Sequence, residues 1–358
     1  MLEILIKELA AATHLSDEQC HFAVGQLIDE AVPVSVKADF LCQLALKGET
    51  VDEIAAFAKA LREKSIQPPL DPATRAREIL DVCGTGGDRL NTFNISTTVA
   101  IICASAGIAV AKHGNRAITS QAGSADVLEA LGIRVDMSPV EAAQSLADRN
   151  FAFFFAPNYH PAFKFIGPAR KLCADRGQRT IFNFLGPLLN PAHPTVQLVG
   201  VSRPELCEPL AHVLQMLGIR RGMVVSGDVS ISQSENPNGE KVPQHRFLDE
   251  LSTLGNNTIA EFYQERGFTA SVLAPGDFPL QSATLGDLAG GSREDNAEIV
   301  RRLLRGDDQG PRRDAILLNT AAALFVAEKT KSLSEGWSLA ERLIDSGQAW
   351  KKLNELAS

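Results

Sequence analysis

Short apolar segments alternate with helix-forming segments along most of this chain, and that alternation limits its possible folds more than any other feature. Strands are predicted at 79–83, 109–112 and about 223–226, and helices at about 96–106, 125–131 and 315–327. Strand–helix–strand order of this kind is typical of parallel βαβ units. The sequence therefore predicts an α/β fold with a mainly parallel central sheet flanked by helices.

The N-terminal residues show only helical patterns, because apolar residues recur there at three- and four-residue spacing. Capping boxes that begin at Ser16 and Thr50 mark two helix starts. Three prolines within residues 65–72 then deny a helix its amide donors and favour extended backbone. We therefore predict a small all-helical domain over residues 1–70 and a large α/β domain over residues 71–358.

Composition and charge exclude several classes of function. The formal net charge of −8 argues against a polyanion such as duplex DNA as the main partner, because nonspecific binding needs a surplus of Lys and Arg. No apolar run approaches the roughly 20 residues of a membrane span, and charges interrupt the apolar N-terminal stretch. The six cysteines lack the spacing of a zinc site or a disulfide scaffold. We expect a soluble cytoplasmic protein with reduced thiols.

A glycine-rich segment at 81–88 follows the first predicted strand, and the polar segment 91–97 leads into the next helix. Glycines let the backbone approach a ligand closely, and amides at the start of a helix favour an anion. The spacing matches neither the Walker A motif nor the GxGxxG of dinucleotide folds. The alternative is a turn with Ser96 or Asn94 as a helix cap, and this segment alone does not decide between the two.

Residues 112–116 form a second polar group, at the end of the next predicted strand, where open parallel sheets place their ligands. Lys112 and Arg116 offer cationic donors to phosphate oxygens, while His113 and Asn115 suit a smaller polar group. Taken alone, His113 would be interpreted as a structural histidine and Arg116 as part of a surface ion pair.

Two further groups suit a metal ion and a carboxylate ligand. The adjacent carboxylates of Asp249 and Glu250 suit Mg²⁺ shared with substrate phosphates, although adjacent acidic residues usually form a solvated surface. Arg170 suits a bidentate pair with a substrate carboxylate, and Gly186 with Pro187 favours a turn that walls a flat pocket. These last residues are also consistent with simple helix-to-loop punctuation.

One stretch interrupts the alternation of strands and helices. Residues 227–246 are rich in Ser, Asn, Pro and Gly and contain few apolar residues. This composition predicts a long surface loop, and loops of that length in a compact domain are usually functional or disordered.

In this order, the motifs resemble those of the anthranilate phosphoribosyltransferase family, and the resemblance covers essentially the whole chain. The motifs that carry it are GTGGD at 84–88, NIST at 94–97, KHGNR at 112–116, GSAD at 123–126, and the segments 179–191, 318–324 and 345–349. The resemblance implies a small helical domain, joined by a helical segment around 162–180, and a large domain that binds 5-phosphoribosyl 1-diphosphate (PRPP). It also implies homodimers that pair through the helical domains and a role in tryptophan biosynthesis.

The resemblance further assigns roles to individual residues. Those implied to bind PRPP are Gly84, Gly86, Gly87, Asp88, Thr92, Asn94, Ser96, Thr97, Lys112 and Ser124. Those implied to bind anthranilate are Gly84, Asn115, His160, Arg170 and Gly186. Ser96, Asp249 and Glu250 would hold Mg²⁺, with two ions per active site. Lys112 would act catalytically through its charge, and His113 is a weak candidate for proton transfer.

Four features depart from the usual pattern of that family. Arg89 stands where many relatives have glycine, and Gln121 stands where lysine is common. About two extra residues lie between Arg170 and Arg179, and the segment 227–246 has the form of an insertion before Asp249. We expect these changes to affect metal affinity or loop closure.

The implied reaction is a displacement at C1 of the ribose, in which diphosphate leaves and the aromatic amine arrives. Electrostatic stabilisation of the departing diphosphate and the ordering of two substrates would supply the catalysis, without a strong general base. One alternative is an enzyme like pyrimidine nucleoside phosphorylase, which would need a different phosphate signature of lysine and serine. The other is a non-catalytic relative that binds nucleic acid, which the net acidity and the Asp249–Glu250 pair disfavour.

Overall fold

The structure is a computed structural model that describes residues 2–117, 121–235, 241–264 and 267–358. Its α-helices are α1 Leu2–Ala10, α2 Asp17–Ile28, α3 Val34–Lys47, α4 Val51–Glu63, α5 Pro72–Arg75, α6 Ile95–Ser105, α7 Ser124–Ala130, α8 Pro139–Arg149, α9 Ala156–Tyr159, α10 Phe163–Asp175, α11 Cys207–Met216, α12 Arg293–Arg305, α13 Pro311–Val326, α14 Leu333–Asp345 and α15 Gln348–Leu356. Its strands are β1 Ile79–Gly84, β2 Ala109–Gly114, β3 Phe151–Phe155, β4 Val196–Gly200, β5 Arg221–Glu235, β6 Lys241–Leu248, β7 Asn257–Tyr263 and β8 Gly267–Leu273.

Side-chain caps fix the starts of the N-terminal helices. Ser16 caps α2 and Thr50 caps α4, and both form the predicted capping box with a Gln or Glu at the third helical position. Gly48 ends α3 at a φ of +87°, a value that glycine adopts without strain.

Helix α10 packs against the N-terminal helices α2 and α3, although more than 100 residues separate it from them in the chain. Ile166, Ala169 and Cys173 of α10 are fully buried in the same apolar core as α1 to α4. The Sγ atoms of Cys42 and Cys173 lie 3.5 Å apart across this contact. A helical segment within 162–180 therefore shares the core of the N-terminal helices.

The central sheet has the strand order β3-β2-β1-β4-β5-β7-β8, with β6 paired to β5. Strands β1 to β5 pair in parallel, and β6, β7 and β8 join in antiparallel pairs. The predicted fold class, a helical bundle followed by an α/β domain with a mostly parallel sheet, is confirmed. The carboxyl ends of β1, β2 and β4 lie at one edge of the sheet. The predicted segments 84–97 and 112–116 lie at the ends of β1 and β2.

The prediction of a long loop at 227–246 is wrong where the structure describes this stretch. Strand β5 continues to Glu235, and β6 pairs with it from Lys241 to Leu248 as an antiparallel hairpin. The composition misled because a hairpin that extends beyond the sheet needs few apolar side chains, and its backbone groups pair with each other. Residues 236–240 lie outside the described part of the chain.

The apolar helix predicted near 315–327 is α13, which packs against α6 and α14. Most of its side chains are buried, as expected of a helix that is apolar on all sides. Within the described residues, no helix combines the length and the apolar character that crossing a bilayer requires.

Candidate active site

The glycine-rich segment forms a loop between β1 and α6. Gly86 and Gly87 have φ angles of +75° and +80°, and the non-glycine residues Arg89 and Asn91 also take positive values of +59° and +52°. Such angles are uncommon without glycine, which explains why glycine suits position 89. The Asn94 side chain makes no cap hydrogen bond to α6, so the reading of Asn94 as a helix cap is not supported.

Asp249 fits tightly against the ends of β1 and β4 because two glycines leave room for it. A Cβ atom added at Gly84 would lie 2.0 Å from the Asp249 Oδ2, and one added at Gly200 would lie 1.6 Å from the Asp249 carbonyl oxygen. Any larger residue at either position would displace the Asp249–Glu250 segment. The close approach places the Asp249 carboxylate against the glycine-rich loop and the Glu250 carboxylate against the start of α6.

Both carboxylates accept hydrogen bonds from main-chain amides of that region. The Gly86 amide donates to the Asp249 Oδ2 at 2.6 Å, and the Ser96 amide donates to the Glu250 Oε1 at 3.2 Å. Burial, followed by the nearby charges of Asp88 and Glu250, raises the pKa of Asp249 well above its ordinary value. Burial likewise raises the pKa of Glu250 to about 7. The site therefore holds crowded acidic groups whose charges repel each other.

Lys112 reaches the same place from β2. Its side chain is buried, and its Nζ donates to the Val82 carbonyl at 2.7 Å and to the Ser96 Oγ at 3.3 Å. Its charge opposes the increase in the pKa of Glu250. An ammonium group, a helix N-terminus and paired carboxylates thus converge around Ser96.

The end of β2 also places Asn115 beside Ser124, at the start of α7. The Ser124 hydroxyl donates to the Asn115 carbonyl at 3.3 Å. Arg116, by contrast, forms ion pairs with Asp126 at 3.1 Å and with Glu129 at 2.6 Å. These contacts support the surface ion-pair interpretation of Arg116 over a phosphate-binding role.

A 3₁₀ turn over Gly186–Leu189 is held by buried side chains that bond its successive carbonyl groups. His113 bonds the Gly186 carbonyl, Gln197 the Pro187 carbonyl at 3.0 Å, Arg62 the Leu188 carbonyl at 2.5 Å and His160 the Leu189 carbonyl. The carbonyl groups at the end of a short helix need partners of this kind. These contacts hold the turn in place, and we call residues 186–189 the wall of the site.

Three polar nitrogens beside this turn are buried and have no hydrogen-bond partner among the described residues. They are the Nε2 atoms of His113 and His160 and the Nη2 of Arg62. The two imidazole rings lie 5.2 Å apart. Burial lowers the pKa of His113 to about 3 and that of His160 to about 4, so both rings are neutral at pH 7. A neutral ring with so low a pKa is a poor general base.

Aromatic rings connect this wall to Arg170 on α10. His160 stacks on Phe163 at 5.2 Å, and Phe163 meets Phe182 edge-on at 5.8 Å. The Arg170 guanidinium lies 5.3 Å from the centre of the Phe182 ring. Burial lowers its pKa, and no described carboxylate lies within ion-pair distance. A desolvated guanidinium beside aromatic faces suits a flat aromatic acid.

The structure brings most of the predicted residues to the carboxyl edge of the sheet. Those on or beside the glycine-rich loop and α6 are Gly84, Gly86, Gly87, Asp88, Asn94, Ser96 and Thr97, with Asp249, Glu250 and Lys112 in contact. Thr92 pairs with Ala289 through a β-bridge at the side of the loop. Gln121 is exposed just before α7.

Sequence reasoning gave no role to Asp81, Arg62 and Arg246. Asp81 is fully buried and accepts from the His113 amide at 3.3 Å, and burial raises its pKa. Arg62 follows Ala55 and Ala58 on the apolar stripe of α4, and a charged residue on such a stripe was the available signal. Arg246 lies in the segment that was interpreted as a loop.

Comparisons with known proteins cover the whole chain. Residues 4–65 match the helical bundle domain, and residues 76–350 the α/β domain, of a glycosyl transferase family. The anthranilate phosphoribosyltransferase of Moorella thermoacetica is 43% identical over 100% of this chain and 98% of its own length. The crystal structure of the Thermus thermophilus enzyme of that name is 38% identical, with a TM-score of 0.85 over 99% of this chain and 98% of its own. The Saccharomyces cerevisiae enzyme in complex with PRPP and Mg is 28% identical, with a TM-score of 0.83 over 99% and 96% of the two chains.

Proposed function

This chain belongs to the glycosyl transferase family, among the anthranilate phosphoribosyltransferases. We propose that the phosphoribosyl group of PRPP passes to anthranilate at the carboxyl edge of its sheet, with release of diphosphate. This is a pentosyltransferase reaction, and it belongs to tryptophan biosynthesis. The observation that carries the proposal is the contact of the Asp249–Glu250 pair with the amides of Gly86 and Ser96.

The glycine-rich loop and the start of α6 are the proposed PRPP site. Backbone amides and a helix N-terminus bind phosphate oxygens. The buried Thr97 Oγ1 and Asn94 Oδ1 have no partner among the described residues, so they are available to ribose or phosphate groups. The remaining proposed contacts are Gly84, Gly86, Gly87, Asp88, Thr92, Ser96, Lys112 and Ser124.

The residues present suit magnesium. Asp249 and Glu250 are crowded acids with raised pKa values, and a divalent cation would relieve that repulsion. Among the described residues, no three His, Cys, Asp or Glu side chains form a metal site by themselves. This agrees with Mg²⁺, which usually takes one or two carboxylates together with substrate phosphates. Ser96, Asp249 and Glu250 would hold two ions, and bound Mg²⁺ would add positive charge beside the diphosphate oxygens.

The proposed anthranilate site lies between the Gly186–Leu189 turn and the rings of His160, Phe163 and Phe182. Arg170 would pair with the anthranilate carboxylate, and His160, Asn115, Gly84 and the Gly186 turn would line the site. The neutral His113 holds the Gly186 carbonyl, which makes it a positioning residue rather than a strong base.

Catalysis would rest on charge and placement. Departure of diphosphate from C1 leaves negative charge on the diphosphate, and the loop amides and the Lys112 ammonium, which reaches Ser96 at the start of α6, would stabilise it. The fixed wall and Arg170 would orient the amine, which removes much of the entropic cost of bringing two substrates together. The arylamine loses its proton readily after bonding, so no general base is needed.

Three expectations beyond the reaction stay proposals: the division at residue 70, the cytoplasmic location and the homodimer. Ile4 on α1 and Leu46 on α3 support pairing through the helical domain. Their side chains are 60% and 66% exposed, on helices that pack against each other. A second copy of this chain would bury these two side chains if the helical domains pair. Light scattering on the purified chain tests the dimer.

A fluorescence assay tests the activity directly. Anthranilate emission should fall when PRPP and Mg²⁺ are both added to the purified protein, and omission of either should stop the change. A gel shift with nucleic acid at physiological salt provides the comparison with a binding protein. A shift without consumption of anthranilate would contradict the proposal.

A further inference from the structure

The glycine-rich loop between β1 and α6 depends on neighbours for its shape. Arg89 and Asn91 hold left-handed backbone angles without being glycine, and such angles persist only where the surroundings fix them. On one side the loop bonds to the segment before α12. The Phe93 amide donates to the Leu288 carbonyl at 3.0 Å, and the Gly290 amide donates to the Asn91 carbonyl at 2.9 Å.

The base of the β5–β6 hairpin holds the other side of the loop through apolar packing. Leu90 is buried in a small cluster with Val229 of β5 and Leu248 of β6. Leu254 packs against both this cluster and the large core beside the sheet. The only long apolar side chain between Gly84 and Phe93 is therefore anchored on the hairpin.

Arg246 of β6 adds a polar contact to the same side. Its Nη2 donates to the Arg89 carbonyl at 2.9 Å and lies 3.5 Å from the Asp88 carbonyl. The C=O and N–H of a peptide point in opposite directions. A carbonyl turned toward Arg246 therefore turns the following amide the other way, and the Leu90 amide donates to the Asp88 Oδ1 at 3.1 Å.

We propose that Arg246 is a positioning residue for PRPP: from the β5–β6 hairpin it fixes the Asp88 and Arg89 peptides, and so holds the glycine-rich loop in the conformation that binds the diphosphate. The inference rests on the function proposed above. It gives the hairpin a role in holding the loop, which the prediction of a surface loop left open.

Steady-state kinetics on Arg246→Ala tests this role, with His245→Ala as the matched control. His245 is the neighbouring residue on β6, but its exposed ring bonds Asp228 rather than the glycine-rich loop. We expect Arg246→Ala to raise the KM for PRPP by about tenfold to a hundredfold, the effect of losing a hydrogen bond from a charged group. The KM for anthranilate should stay within about twofold, and methylguanidinium should restore part of the affinity for PRPP.

Amide hydrogen exchange provides a readout that needs no activity. Residues 86–92 should exchange faster in Arg246→Ala than in wild type, while residues 95–105 of α6 should not change. Arg246→Gln, which keeps a donor of similar length, serves as the second variant if the alanine variant does not fold.

The inference is overturned if both KM values rise equally, or if the PRPP KM and the exchange rates match those of His245→Ala. Failure of the wild-type protein to consume anthranilate contradicts the proposed function instead. The exchange experiment still decides whether Arg246 holds the loop.

Discussion

The Gly86 amide donates a 2.6 Å hydrogen bond to the Asp249 Oδ2, which joins the proposed phosphate loop directly to the proposed metal site. The two residues are 163 positions apart in the chain. A diphosphate bound at the loop would therefore meet the carboxylate and its cation in the same small volume. Removal of the cation should therefore weaken the binding of the diphosphate, and removal of the diphosphate should weaken the binding of the cation.

Asp249→Asn should reduce kcat/KM for PRPP by about a hundredfold or more, because the amide keeps the shape but removes the charge that attracts the cation. Initial rates over a range of Mg²⁺ concentrations measure this, and the half-saturating concentration should rise. Asp136→Asn is the control, since Asp136 is 79% exposed and pairs with Arg134 rather than with a residue of the glycine-rich loop. If the Mg²⁺ dependence of Asp249→Asn matched that of the wild type, Asp249 would not be a ligand of Mg²⁺.

Gly200→Ala should disrupt the site although Gly200 carries no functional group. Its new Cβ would overlap the Asp249 carbonyl oxygen, so the segment must move, and overpacking of this kind costs about 2 kcal/mol in the free energy of unfolding. Activity should fall at least about tenfold with it. Gly25→Ala on α2 is the control, because no atom lies within 4 Å of its added Cβ. It should raise stability by about 0.5 kcal/mol in urea unfolding. If Gly200→Ala and Gly25→Ala had the same effect on stability and activity, the tight fit of Asp249 against Gly200 would be contradicted.

Local patterns predicted the local elements of this protein, and contacts between distant segments lay beyond them. The caps at Ser16 and Thr50 follow from neighbouring side chains, as does the βαβ alternation. Contact of Asp249 with Gly86 depends on strand order, because β4 lies between β1 and β5 in the sheet, and no local pattern encodes that order. The parallel strands predicted that residues after β1 and β2 lie at the ligand-binding edge of the sheet. Only the family resemblance placed Asp249, Glu250 and Arg170 beside them.

The hairpin and Arg62 show two other reasons for failure. In the β5–β6 hairpin, cross-strand hydrogen bonds stabilise a sequence whose composition is typical of loops. Arg62 reaches the Leu188 carbonyl, 126 residues away, and burial lowers its pKa to about 10. Its position on an apolar stripe signals burial but does not identify the partner.

Arg170→Ala should raise the KM for anthranilate far more than the KM for PRPP, by about tenfold or more, because the guanidinium is the half-buried cation beside the Phe182 ring. Arg176→Ala is the matched control just after the same helix. Its side chain is exposed and forms an ion pair with Asp39, so its loss should change neither KM. Equal increases in both KM values for Arg170→Ala would refute its assignment to anthranilate.

His160 makes the stability of the protein depend on pH. Burial lowers its pKa from 6.5 in the unfolded chain to about 4 in the fold, against a hydrogen bond to Leu189 that raises it. The unfolded state therefore binds more protons between these two values, so this contribution to stability is complete above pH 6.5 and declines as the pH falls toward 4. His160 is only 4% exposed, so solvent screening reduces the effect little.

The loss attributable to this one ring is about 2 kcal/mol between pH 7.5 and 4.5. Urea unfolding of wild type and His160→Asn at both pH values measures it, because the buried carboxyls are common to the two proteins. The difference also includes a smaller change at His113, whose pKa the neighbouring His160 lowers. The asparagine variant should start less stable at pH 7.5 but lose about 2 kcal/mol less on acidification. A wild-type pH dependence in His160→Asn would mean that the ring is not held neutral in the fold. Its Nε2 would then not be the buried, desolvated atom that the proposed anthranilate site contains.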